Sequence, residues 1–161
     1  MKRLFLDTNV MVDLICHREP FFHEAKRLFA LAYTNRISIG ISALSYINTV
    51  YIAKKHGFCT KEIIESLNKI ASFTNITHLE GVTIKDAMNC NWNDFEDAVQ
   101  YHSSLPFAPD YIITRNPKDF ANSSIPVYTP TEFLQIPYWM DEPNNTILNE
   151  PEITYKKTTR L

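Results

Sequence analysis

The sequence predicts an α/β fold: a mostly parallel sheet with helices on both faces. Short apolar or alternating runs alternate along the chain with segments whose apolar residues recur every three or four positions. Strands separated by helices pair in parallel, and the connecting helices then cover both faces. Two of the apolar runs also end in polar clusters, "RLFLDTN" over Arg3–Asn9 and "DYIITRN" over Asp110–Asn116. Ligands in such sheets bind at the carboxyl ends of the strands, where both clusters fall.

Arg3–Leu6 reads as a short buried strand. Phe21–Tyr33 is predicted helical, with Phe22, Ala25, Leu28, Phe29 and Ala32 on one face. "RISIGI", Arg36–Ile41, alternates like a strand. Ser42 then caps a helix running to about Lys55, with Leu44, Ile47, Val50 and Tyr51 facing inward. Thr60 is expected to cap the next helix, Thr60–Ser72, which turns Ile63, Ile64, Leu67 and Ile70 inward. Ile76–Leu79 is a weak strand and Thr83–Asn89 a short helix. The helix in "NWNDFEDAVQYHSSL" places Phe95, Ala98, Val99 and His102 at helical intervals. Tyr111–Thr114 and Pro126–Tyr128 complete the strands. The domain is expected over residues 1–134. From Gln135 the composition shifts to Pro, Asn and charge, which reads as a C-terminal arm, 135–161, anchored by Tyr138 and Trp139.

The chain has 161 residues, 45% of them hydrophobic and 21% charged, enough for one domain with a real core. Sixteen Lys and Arg against 18 Asp and Glu give a net charge of −2, so a polyanion must be held by a local patch or by metal. Cys16, Cys59 and Cys90 form no CxxC pair, which argues against a disulfide framework and for a reducing compartment. No apolar run approaches membrane-spanning length, and the first acid arrives too early for a signal peptide; a cytoplasmic protein without membrane association is expected. The three glycines, Gly40, Gly57 and Gly81, leave no phosphate-cradling loop. The five histidines show no metal-ligand spacing, and no Ser, His and acid set supports a serine hydrolase.

The chemistry is carried by acids. Asp7 follows the first strand, Asp94 and Asp97 open a later helix, and Asp119 follows the "IITRN" strand. Converging carboxylates suit a hard cation, which can lower the pKa of a bound water and offset charge on a phosphodiester. Asp94 and Asp97, spaced i, i+3, are expected on one helix face. Each position has a plainer reading: Asp94 as an N-cap, Asp119 as a turn residue after Asn116-Pro117, Asp13 as a helix-surface acid or a partner behind the site, and Asp110 as a strand-entry residue. Asp7 is harder to explain away, since an acid directly after a buried strand is costly unless it is used.

Together, "FLDTNVMVDL", "DFEDAVQYHSSL" and "DYIITRNPKDF", in this order and spacing, resemble the PIN domain over roughly Met1–Phe133. These are small Mg²⁺- or Mn²⁺-dependent nucleases, many of them VapC-type toxins of bacterial toxin–antitoxin pairs. The resemblance implies an α/β/α sandwich with a metal site at the strand ends, RNA as substrate and a 5′-phosphate on one product. It implies metal-binding roles for Asp7, Asp97 and Asp119, with Asp94 one turn before Asp97, and bracing roles for Asn9, Thr114 and Asn116. Arg115 and Lys118 beside the acids, with Lys54 and Lys55 further off, are the cations available to phosphate. One position departs: the third helix usually carries a Glu where "SALSYINTVY" has Asn48, and no acid occurs from Ala25 through Lys61. Asn offers an amide oxygen but no charge. Asp94 is expected to compensate in preference to Glu96, which is angularly displaced from the face of Asp97.

Two functions follow. One is a metal-dependent endoribonuclease with an antitoxin partner; the other is a PIN-fold nucleic-acid-binding or protein-interaction module whose catalysis is impaired at Asn48. A flap or single-stranded DNA substrate is a third possibility. A chain of charge −2 gains phosphate contacts by pairing, so a homodimer is expected, with apolar contacts from the helix at Phe21–Tyr33 or Ser42–Lys55.

Overall fold

The structure, a computed structural model, describes residues 1–136; the expected arm from residue 137 on, with Tyr138 and Trp139, lies outside the described residues. In chain order the elements are β1 (Lys2–Leu6), α1 (Thr8–Ile15), α2 (Phe22–Tyr33), β2 (Ile37–Ser42), α3 (Ala43–Lys55), α4 (Thr60–Ala71), β3 (Asn75–Thr77), α5 (Gly81–Asn89), α6 (Phe95–Ser104), β4 (Tyr111–Ile113), β5 (Val127–Tyr128) and α7 (Pro130–Leu134). Short 3₁₀ turns cover Leu105–Phe107 and Pro117–Phe120.

The five strands form one sheet in the order β3-β2-β1-β4-β5, and every pairing is parallel. Alternation along β1 distributes its side chains between the two faces. Leu4 and Leu6 join Ile37, Ile39 and Ile41 in a core closed by α1, α2, α4 and α7. Phe5 points the other way, to Ile112, Phe120, Trp92 and Tyr101. Helix α5 packs on α6 through Ala87, Ala98 and Val99. The result is the α/β/α sandwich expected. At Gly40 an added Cβ would lie 2.6 Å from the Phe107 ring, a close approach that only glycine permits.

Several helix faces differ from the sequence expectation. Helix α3 buries Ser45, Thr49 and Ala53, while Ile47 and Tyr51 are 64% and 60% exposed. Its neighbour is α1, and small residues at i, i+4 and i+8 let two helices approach closely where larger ones would hold them apart. Ile64 on α4 and Phe95 at the start of α6 are likewise exposed rather than inward. Cys59, not Thr60, is the N-cap of α4, and its side chain makes no capping hydrogen bond.

The strand order places the site. The chain runs outward from β1 to β2 to β3, then returns to the opposite side of β1 for β4. At such a switch point the connections leave in opposite directions and a crevice opens at the carboxyl ends. Leu6 pairs with both Ile41 and Ile113, so the residues after β1, β2 and β4 meet there.

Candidate active site at the strand ends

Asp7 is the first residue beyond β1, and its backbone N–H continues the ladder to the Ile113 carbonyl at 3.0 Å. It occupies the N-cap position of α1, yet its carboxylate does not cap the helix. Instead it turns into the crevice, 5% exposed, and accepts side-chain hydrogen bonds from three directions. Gln100 Nε2 donates to Oδ1 at 3.0 Å; Thr114 Oγ1 donates to Oδ2 at 2.7 Å; and Asn9 Nδ2 donates to Oδ2 in a short contact. Burial pushes the Asp7 carboxyl above its ordinary value, against hydrogen bonds from Thr114 and Gln100. Asn9 binds Thr114 as well, and its Oδ1 accepts from the Arg115 backbone N–H. The polar residues after β1 and β4 therefore knit the two strand ends together.

Helix α6 supplies the opposite wall. Asp97 is pushed up to about 7, by burial first and then by the charges of Asp7, Asp119, Asp94 and Glu96. Every one of these influences disfavours its ionised form, as a convergence of acids does. Asp119 stands in the Pro117–Phe120 turn, where Asn116 Nδ2 donates to its carboxylate at 2.6 Å. Lys118 lies exposed in the same turn.

Two expectations about this wall change. Asp94 has the extended backbone of an N-cap, φ −114° and ψ 130°, so helical spacing does not begin until Phe95 and the i, i+3 argument does not reach it. Its Oδ1 accepts the Glu96 and Asp97 N–H groups at 2.8 and 3.2 Å. Glu96, in contrast, faces α3. Asn48 Nδ2 donates to its Oε1 at 2.7 Å, with Gln100 Nε2 3.4 Å away. Thus the acid beside Asn48 is Glu96, the residue passed over from sequence, and burial and Asp7 push its carboxyl up.

Asp13 is no surface acid. It is 1% exposed, with Arg115 Nε at 3.0 Å and Arg18 Nε at 3.9 Å. The Arg115 guanidinium stacks 4.6 Å above the Phe21 ring. Arg115, expected to face phosphate, is therefore half enclosed and already paired. Asp110 behaves as expected of a strand-entry residue, accepting from the Arg3 N–H and from Lys2. Sequence reasoning missed Gln100, Ser45 and Thr8, and ranked Glu96 behind Asp94. The available signal was Gln100 itself, a polar residue one turn after Asp97 in a helix of otherwise small or apolar inward positions.

The donors that converge here are oxygens alone, from Asp7, Glu96, Asp97 and Asp119, which fits a hard divalent cation in chemistry. As they stand, no three His, Cys, Asp or Glu among the described residues are close enough to hold an ion. The carboxylates of Glu96 and Asp119 are instead taken by the amides of Asn48 and Asn116.

An all-parallel α/β sandwich with acids gathered at its β1–β4 switch point has the form of a PIN fold. The chain belongs to that family: a family model described as the PIN domain matches residues 3–118. Among solved structures, it resembles a toxin–antitoxin complex from Klebsiella pneumoniae at 24% identity, covering 79% of this chain and 97% of that one with a TM-score of 0.56. VapBC2 from Rickettsia felis, bound to a DNA fragment from its promoter, matches at 16% identity over 79% and 98%, also at 0.56. Mycobacterium tuberculosis VapC20, a sarcin–ricin loop cleaving toxin, matches at 14% over 68% and 86%, at 0.53. No curated protein matches the sequence significantly. No helix among the described residues is long and apolar enough to cross a membrane.

Proposed function

We propose that this protein is a Mg²⁺- or Mn²⁺-dependent endoribonuclease, the toxin of a toxin–antitoxin pair acting in the cytoplasm. The observation that carries this reading is the convergence of Asp7, Asp97 and Asp119 at the switch point, with burial and mutual repulsion holding Asp97 near 7. Toxin–antitoxin assignments among the structural neighbours support it. Asp7, Asp97 and Asp119 would hold the cation, with Glu96 in the place Asn48 leaves uncharged. When bound, such a cation lowers the pKa of a water and offsets charge developing on phosphorus. Asn9, Thr114 and Gln100 fix the Asp7 carboxylate; Asn116 steadies Asp119. Asp94 contributes through the position of the α6 N-terminus. Lys118 offers an exposed cation to the phosphate backbone, while Arg115 holds the turn through Asp13.

Incubating purified protein with single-stranded and structured RNA plus Mn²⁺, beside Asp7→Asn, tests the assignment. Cleavage by the wild type alone is expected. Equal inertness or equal activity of the two proteins would overturn it. The Asn48 substitution favours a second reading, an impaired module that binds nucleic acid or protein without cutting. RNA binding without cleavage at millimolar metal would select that reading.

The proposed homodimer uses α3 rather than α2. Helix α2 spends Ala25, Leu28, Phe29 and Ala32 on its own core, whereas α3 and α4 leave an apolar groove of about 300 Å³ that includes Ile47, Val50, Ile64 and Ile76. Light scattering at micromolar concentration is expected to give twice the chain mass, and Ile47→Asp to give a monomer. A wild-type monomer contradicts the dimer.

A further inference from the structure

We propose that Gln100 is a positioning residue that aims Oδ1 of Asp7 at the cation; this rests on the metal-site reading above. Gln100 is 1% exposed, in the middle of α6, an expensive place for an amide unless both its ends are used. Its Nε2 donates to Asp7 Oδ1 at 3.0 Å, and its Oε1 accepts from Ser45 Oγ at 3.1 Å. Ser45 Oγ in turn accepts from Thr8 Oγ1 at 2.9 Å and lies 2.8 Å from Ser42 Oγ.

Proton counting makes this network directional. A hydroxyl has one proton to give. Ser45 gives it to Gln100, so Thr8 and Ser42 must be donors to Ser45. The Asp7 carboxylate can only accept, so the Gln100 nitrogen must face it, and Ser45 holds the amide oxygen on the α3 side. No carboxylate could replace it, since the position must accept on one side and donate on the other. Lone pairs then decide which Asp7 oxygen is available. Each carboxylate oxygen has two acceptor sites. Asn9 and Thr114 fill both on Oδ2, and Gln100 is the side-chain donor to Oδ1, while the Thr8 backbone N–H also bonds the carboxylate. Oδ1 is the oxygen with one side-chain donor rather than two, and Gln100 fixes its direction. The chain Thr8–Ser45–Gln100–Asp7 ties that direction to α1, α3 and α6 at once.

The test is Mn²⁺ affinity by calorimetry, with metal-free RNA binding measured in parallel. Gln100→Met keeps the volume and removes the donor; it is expected to weaken Mn²⁺ binding about tenfold, as loss of an outer partner to a ligand does. RNA binding without metal is expected to stay within about twofold, because a positioning loss acts on the cation alone. Ser45→Ala, which unpins the amide but leaves it in place, is expected to weaken Mn²⁺ less and provides the same test should Gln100→Met fold poorly. Unchanged Mn²⁺ affinity in both variants, or an equal loss of metal-free RNA binding, overturns the inference while leaving the metal site intact. A wild type that binds no Mn²⁺ removes the metal-site reading itself, and the inference falls with it.

Discussion

Replacing Asp97 with Asn is expected to abolish RNA cleavage and to stabilise the metal-free protein. The loss of cleavage should be on the order of a thousandfold, the scale of several kcal/mol of charge stabilisation. The gain in stability follows from the direction of the Asp97 shift. Its carboxyl lies at about 7 in the folded protein against 3.8 ordinarily, and Asp13 is raised to about 6 by burial, against Arg115 and Arg18. Between these values the folded state keeps protons that the unfolded chain has released. Stability of the metal-free protein therefore falls as pH rises from about 4 through about 7. Asp97→Asn removes the Asp97 share of that slope, leaving the shares of Asp13, Asp7 and Glu96, whose carboxyls burial also raises. At pH 8 the expected gain, discounted for the partial exposure of Asp97, is about 1 kcal/mol, or roughly 2–4 °C in Tm. Thermal melts of both proteins in EDTA from pH 5 to 8 check this. A wild type whose metal-free Tm rises with pH contradicts it.

Arg115→Ala is expected to cost about 2–3 kcal/mol of stability, because it strands Asp13 in the interior. The cost is moderated by Arg18, still 3.9 Å away, and by the capacity of Asp13 to take a proton at about 6. Asp13→Asn in the Arg115→Ala background should recover part of the loss, since the stranded charge is then gone. Urea unfolding of the single and double variants measures both terms. If Arg115→Ala unfolds like the wild type and only RNA binding weakens, the guanidinium serves substrate and not the fold.

The parts of the molecule written in local sequence were readable. An apolar run that halts on Asp7 states both a buried strand and a polar strand end. The same grammar at Tyr111–Asn116 places the second half of the crevice. The misreadings share a physical cause: each depended on a partner distant in the chain. Asp13 sits among Val10, Met11, Val12, Leu14 and Ile15, and only Arg115, remote in sequence, explains how a charge is tolerated there. Helix α3 carries an apolar stripe that periodicity assigns to the core, yet α1 packs on its small residues Ser45, Thr49 and Ala53 and leaves Ile47 outside. Asp94 caps α6 because the helix begins one residue later than the acid spacing assumed, and it is Glu96 that meets Asn48. Gln100 stands out as a polar residue on an inward face, but its purpose is visible only once Ser45 and Asp7 flank it.

The central claim is that the acids at the ends of β1 and β4 and on α6 support hydrolysis of RNA by water with a divalent cation. End-group analysis of the RNA fragments tests it most directly, with Mn²⁺ present and in EDTA. Attack by water on phosphorus with departure of the 3′ oxygen leaves a 5′-phosphate on one product and a 3′-hydroxyl on the other. The account predicts those ends, seen only with metal and lost in Asp7→Asn. Fragments ending in 2′,3′-cyclic phosphate, or cleavage that persists in EDTA, would contradict it.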